Sequence, residues 1–363
     1  MLPEREILAL HRAITAIRSV SGEEAEIAEF LGDLLRRNRI AFSRIGNSLL
    51  ATLGRGPLLL FDTHLDTVPP AAGWTREPLD SQSIDGRVYG LGANDAKASV
   101  AAMTAAFLAF READLPFTLA LALVEGEETR GIGTEAVLAE LARRGTPPTA
   151  AVIGEPTGLD LAVAQKGLMV LELVARGDAC HAANAAALGA KNAARGLAHD
   201  LVALERVDFG APHPRLGAIT VEPTQLRAGT ARNVVPGEAA AVLDVRTTPA
   251  LDRREIVARI GRAVAGEVRV LSDRLLPPRE TAESEPLVAA TLRARPEARL
   301  FGSSTLSDLV FMEGIPALKC GPGRTERSHT PDEFVLESEI LEGARFYTRF
   351  VRAYAEMREE EAA

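Results

Sequence analysis

The chain has 363 residues, 47% hydrophobic and 25% charged, with a formal net charge of -9. That is ordinary globular usage with room for more than one core, and the acidic balance argues against a protein that grips nucleic acid phosphates through a broad basic face. The first twenty residues carry charges throughout and lack the apolar run of a signal peptide or membrane helix, so a cytoplasmic protein with a small-molecule partner is expected.

In chain order, Ser21 and Glu24 read as a capping box. Ala25, Ile27, Ala28, Leu31, Leu34 and Leu35 follow at helical spacing. The apolar runs 47–53, 57–62, 117–124 and 149–153 have the length and two-sided apolarity of strands buried in a mostly parallel sheet, with an alanine-rich helix over 97–111 between them. This alternation predicts an α/β layer architecture. From about Leu168 the rhythm changes to strand, helix (185–204), strand (217–221), strand (239–248), helix (253–264), strand (267–271). That β-α-β-β-α-β order is the ferredoxin-like unit, read here as an insertion. The expected domains are therefore 1–167 and 280–363 for a discontinuous α/β domain and 168–279 for the inserted one. The strand PALKC (316–320) and a helix over 337–357 complete the first. Cys180 and Cys320 lie far apart without a CxxC spacing and read as small buried hydrophobes.

The chemistry-bearing residues cluster where buried strands end, which is where open α/β sheets place their sites. They are His64 and Asp66 in FDTHLDTVPP, Asp95 in YGLGANDAKAS, Glu127 and Glu128 in LVEGEETRG, Glu155 in VIGEPTG and His329 in RSHTPDEF. Imidazole and carboxylate without thiolate form a ligand set for zinc, cobalt or manganese. His64, Asp95, Glu128, Glu155 and His329 provide one bridge plus two ligands at each of two ions, with Asp95 as the bridge. Asp66 suits the companion role of accepting the other N–H of His64, and Glu127 faces the reacting water as base. His11, His199 and His213 lie away from any ligand pattern and read as structural. A dinucleotide reading of Tyr89 to Gly92 fails because the third glycine is missing. Asp308 and Glu333 are guesses for an acid that would recognise a substrate amine.

HLDTVP, GANDAK, GEE, GEPT and SHTPDEF resemble the ordered motifs of M20 metallopeptidases, over nearly the whole chain, and the inserted unit resembles that family's lid and dimerisation domain. One departure is AKAS after Asp95, where the family commonly has glycine after the lysine. The resemblance implies a zinc-peptidase-like fold and the same five ligands for two divalent ions, zinc or cobalt. It also implies Glu127 as general acid/base and a homodimer formed through the lid. His181 in DACHAANA resembles the lid histidine that helps hold the oxyanion; Asn233 and Arg246 resemble substrate-binding positions. Within the family, GEPTGLDLAVAQKG, AGTARNVVP and GSSTLSDLVF look most like acetylornithine deacetylases of arginine biosynthesis. Their acetylcitrulline and succinyl-amino-acid relatives share these features. The activity implied is metal-dependent hydrolysis of an Nα-acyl amino acid, with desuccinylase, aminoacylase or dipeptidase activity as alternatives and a catalytically silent binding protein as a remote one.

Overall fold

The structure is a computed structural model and describes residues 2–272, 274 and 276–362. The chain forms two compact units. The first comprises residues 1–163, 281–301 and 307–363; the second comprises 164–280 together with the short segment Gly302–Leu306.

The first unit is built on a large sheet whose central strands run parallel. In spatial order these are Thr118–Val124, Leu58–His64, Pro148–Ile153 and Ala317–Lys319. Antiparallel strands flank them: Ser48–Gly54 and Phe42–Ile45 on one side, Leu161–Gln165 on the other. Every residue of Leu58–His64 is buried, as the unbroken apolar run requires of a strand covered on both faces. The helix Lys97–Ala109 is apolar all round and buried along nearly its whole length. Its small alanines let it pack closely beneath the sheet, with Glu4–Thr15 and the long helix Glu337–Ala362 beside it. Phe61 of the sheet meets Tyr347 and Phe350 of that last helix at centroid separations of 5.3 and 6.0 Å. The opposite face is covered by Ile132–Arg143, whose Val137 and Leu141 pack on Leu50, Leu58 and Leu60.

The second unit is a four-stranded antiparallel sheet in the order Thr220–Ala228, Glu238–Thr247, Gly167–Arg176, Glu267–Val270. With the helices Ala193–Leu204 and Arg253–Ala263 it has the ferredoxin-like strand order. Leu171, Leu173, Leu243, Val245, Ile256 and Ile260 form its core.

Three local expectations differ from the structure. The helix expected from residue 185 begins at Ala193, because the Asn192 side chain accepts from the N–H groups of Ala194 and Arg195 and so caps it there. The strand expected over 217–221 runs from Thr220 to Ala228; its outer half is exposed and polar and carries no alternation to read. The Ser21 and Glu24 pair does not close a capping box: the helix starts at Ala25, Ser21 Oγ donates to Asp66 and Glu24 accepts from Gly22.

Candidate metal centre

Three adjacent parallel strands deliver their C-terminal ends to one place. Leu58–His64 ends in His64, Thr118–Val124 leads into Glu127 and Glu128, and Pro148–Ile153 leads into Glu155. Asp95 lies in the turn before the helix Lys97–Ala109, and His329, with a φ of 59°, lies in the loop before Phe334–Leu336. That strand pairs antiparallel with Arg87–Tyr89, so residues remote in sequence bring the loops of Asp95 and His329 together.

The five expected ligands converge. His64 Nε2 lies 3.2 Å from Asp95 Oδ1 and 3.9 Å from Glu155 Oε1. His329 Nε2 lies 2.9 Å from Glu128 Oε1 and 3.9 Å from Asp95 Oδ2. Ligand atoms of His64, Asp95 and Glu128, and those of His64, Glu127 and Glu155, each fall within 4.8 Å of one another. Only nitrogen and carboxylate oxygen are present in these groups, a donor set that suits zinc, cobalt or manganese. The crowding is electrostatically costly as it stands. Burial and the nearby Asp95 push Glu155 up to about 8, and burial together with Glu155 holds Glu127 well above the carboxylate range. Acids packed this closely fit a site built for divalent cations.

Asp66 is tied in more broadly than a single imidazole contact. His64 Nδ1 donates to the main-chain oxygen of Asp66 at 2.9 Å, while the Asp66 carboxylate Oδ1 stands 3.6 Å away. The carboxylate instead accepts the main-chain N–H of Glu127 at 3.0 Å, that of Glu128 at 3.1 Å and the Ser21 hydroxyl at 2.7 Å. One buried carboxylate thus fixes the backbone that carries both glutamates.

Several neighbours escaped the sequence reading. Lys319, buried at the end of its strand, adds a positive charge near Glu155, Glu127 and Asp95; a lysine inside the apolar run PALKC was the available signal. Beneath the site, Thr134 Oγ1 lies 2.8 Å from Asp308 and 3.1 Å from Asp62, both carboxyls buried. Asp308 is therefore engaged internally. Glu333, the other guessed recognition acid, is also buried and accepts the main-chain N–H groups of Gly92, Asn94 and Asp95. His11 is a structural histidine: fully buried, it bonds Ala93 O through Nε2 at 2.7 Å.

In the second unit, Cys180–His181 pairs with Val234–Val235, and Ala182 N–H donates to Asn233 O at 2.8 Å. His181 and Asn233 are thereby neighbours, with the imidazole exposed and its Nδ1 accepting from Ala183 N–H. Arg246 places its guanidinium fork on Asp244, at 2.8 and 3.2 Å. Cys320 is buried and Cys180 half-buried.

Known proteins resemble this chain over most of its length. A putative [LysW]-lysine/[LysW]-ornithine hydrolase of Pyrobaculum aerophilum is 32% identical over 88% of this chain and 89% of its own length. A succinyl-diaminopimelate desuccinylase of Methylorubrum populi is 30% identical over 97% and 99% respectively. The crystal structure of an M20 family metallo-carboxypeptidase from Sulfolobus solfataricus superposes with a TM-score of 0.77, at 17% identity, over 98% of this chain and 100% of that one. No helix among the described residues is long and apolar enough to cross a membrane. The model of peptidase family M20/M25/M40 matches residues 60–353, and the chain belongs to that family of metal-dependent hydrolases of amide and peptide bonds.

Proposed function

We propose that this hydrolase cleaves the amide bond of an Nα-acyl amino acid, using two divalent ions, zinc or cobalt, that share Asp95. The observation that supports this most directly is the division of the Asp95 carboxylate, whose Oδ1 faces His64 and whose Oδ2 faces His329. His64 and Glu155 would hold one ion, and Glu128 and His329 the other. Ions held there would polarise the amide carbonyl, acidify a water and draw the surrounding carboxyls into their ionised forms.

The chain's own groups do the rest. Glu127, its backbone anchored by Asp66, accepts the proton of the attacking water and returns it to the departing amine. His181, supplied by the lid of a second copy of the chain, donates to the developing oxyanion. Asn233 and Arg246 bind the substrate; the Arg246 fork suits an α-carboxylate, which would take the place of Asp244. The exposed edge strand Thr220–Ala228, with Leu226 outward, supports a homodimer formed through the lid.

The acyl amino acid we favour is N-acetylornithine, with N-acetylcitrulline beside it, in cytoplasmic arginine biosynthesis. The motif resemblance supports it, as does the ornithine in the name of the Pyrobaculum relative. The near full-length similarity to a desuccinylase favours a second reading, removal of succinate from an amino acid. Release of free amine from N-acetylornithine, N-acetylcitrulline, N-succinylornithine, succinyl-diaminopimelate and a dipeptide separates them. Preference for an acetylated substrate, abolished by chelator and restored by zinc or cobalt, is the expected result. Preference for a succinyl compound selects the second reading, and turnover of the dipeptide alone sinks both.

A further inference from the structure

Glu333 belongs to the same SHTPDEF stretch as His329, yet its carboxylate serves the opposite loop. Oε1 accepts the main-chain N–H of Asn94 at 2.9 Å and that of Asp95 at 2.9 Å; Oε2 accepts the N–H of Gly92 at 3.0 Å. Gly90 N–H donates to the Glu333 main-chain oxygen at 3.0 Å. The exchange is reciprocal. Asn94 Oδ1 accepts from Arg324 N–H at 2.8 Å, and Asn94 Nδ2 donates to Arg324 O at 3.0 Å and to Ser328 Oγ at 3.2 Å. The approach is so close that a Cβ on Gly323, whose φ is +85°, would lie 2.4 Å from Asn94 Oδ1.

A buried carboxylate is costly unless its lone pairs are taken, and here three N–H groups take them. Those three belong to the turn that orients Asp95, and the chain carrying the carboxylate has just supplied His329. The two loops come from positions 238 residues apart, so without such a tie nothing local would hold one ligand in register with the other.

We propose that Glu333 is a positioning residue for the metal centre: its carboxylate, with Asn94 on the other side, locks residues 90–95 and 323–333 into one cradle that sets the separation of Asp95 and His329. This rests on the reading of those two residues as ligands. A purely structural cap looks similar elsewhere. In the second unit the Asp200 carboxylate accepts the N–H groups of Ala265 and Gly266 at 2.8 and 2.9 Å, and nothing there binds metal among the expected ligands.

That resemblance supplies the control. Metal-free wild type, Glu333→Gln and Asp200→Asn are titrated with Zn(II) in competition with a chelator of known affinity, and the Co(II) absorption spectrum of each is recorded. Glutamine keeps the size but turns a donor towards one of the N–H groups. The expected result is a 10- to 100-fold loss of affinity for at least one ion, roughly what loss of an outer partner costs at other metal sites, with an altered Co(II) spectrum. Asp200→Asn should match wild type in both, whatever its melting temperature. Wild-type affinity and spectrum in Glu333→Gln would overturn the proposal, as would an equal loss in Asp200→Asn. A wild type that takes up no ion overturns the ligand assignment and the inference with it. If Glu333→Gln does not fold, Asn94→Ala, which cuts the cradle's other side, carries the same expectation in the same direction.

Discussion

The two units place their charge differently. The first buries His11, Asp62, His64, Asp66, Lys97, Asp308, Lys319 and Glu333, nearly all on or beneath the strand ends that form the site. The second buries fewer charges, Lys166, Glu172 and Asp200, around an otherwise apolar core, and many of its ion pairs lie on the surface, such as Arg176 with Glu238 and Arg269 with Glu267. In the first unit, Asp62, Asp308 and Glu333 are held above the carboxylate range by burial, and Asp66 is held below it by its partners although burial opposes this. Where charge is exposed, water already solvates it and pairing adds little. Stability in the second unit therefore rests on packing, while the first offsets a costly electrostatic arrangement with its larger core.

The strongest test of that contrast is Glu127→Ala. With Glu127 in its proposed role as general acid/base, its removal should lower kcat by about 10² to 10⁴ and leave metal affinity unchanged, because it is not among the proposed ligands. Rates near wild type would remove Glu127 from that role. A smaller effect concerns folding. Burial holds His11 at about 4, below its ordinary 6.5. As pH falls the unfolded chain therefore takes up the proton first. Stability from this group is complete above pH 6.5, is lost through the window down to 4 and levels off below it. The loss should be about 3 kcal/mol in urea titrations, and absent from His11→Asn. A variant that keeps the full wild-type pH slope would show that the imidazole is not its source. The smallest effect is expected in the second unit. Glu267→Gln breaks an exposed pair with Arg269 and should leave the urea midpoint unchanged; a clear shift would mean that surface charge matters there after all.

Much of the site is legible in the sequence. Buried strands announce themselves as apolar runs, and His64, Glu127, Glu128 and Glu155 stand at or just past the ends of such runs. The strand and helix order of the second unit is readable for the same reason, since period-2 and period-3.6 patterns follow from one buried face. Where both faces are wet, as in the outer half of Thr220–Ala228, the pattern vanishes and the strand reads too short. Ser21 reads wrongly as a cap because that local role competes with a partner 45 residues away, Asp66, which a linear pattern does not reveal.

By itself, then, the sequence indicated most of the elements and the candidate ligand residues with their chemical class, because each depends on neighbours within a few residues. Tertiary structure alone decided which charges are shared. It turned the two oxygens of Asp95 towards different histidines and spent Asp66 on the backbone of the glutamate pair. It also buried Asp308 and Glu333 as internal partners instead of leaving them to recognise substrate. These outcomes turn on hydrogen bonds between segments brought together only when the sheet closes, and their geometry and burial fix what each carboxylate does.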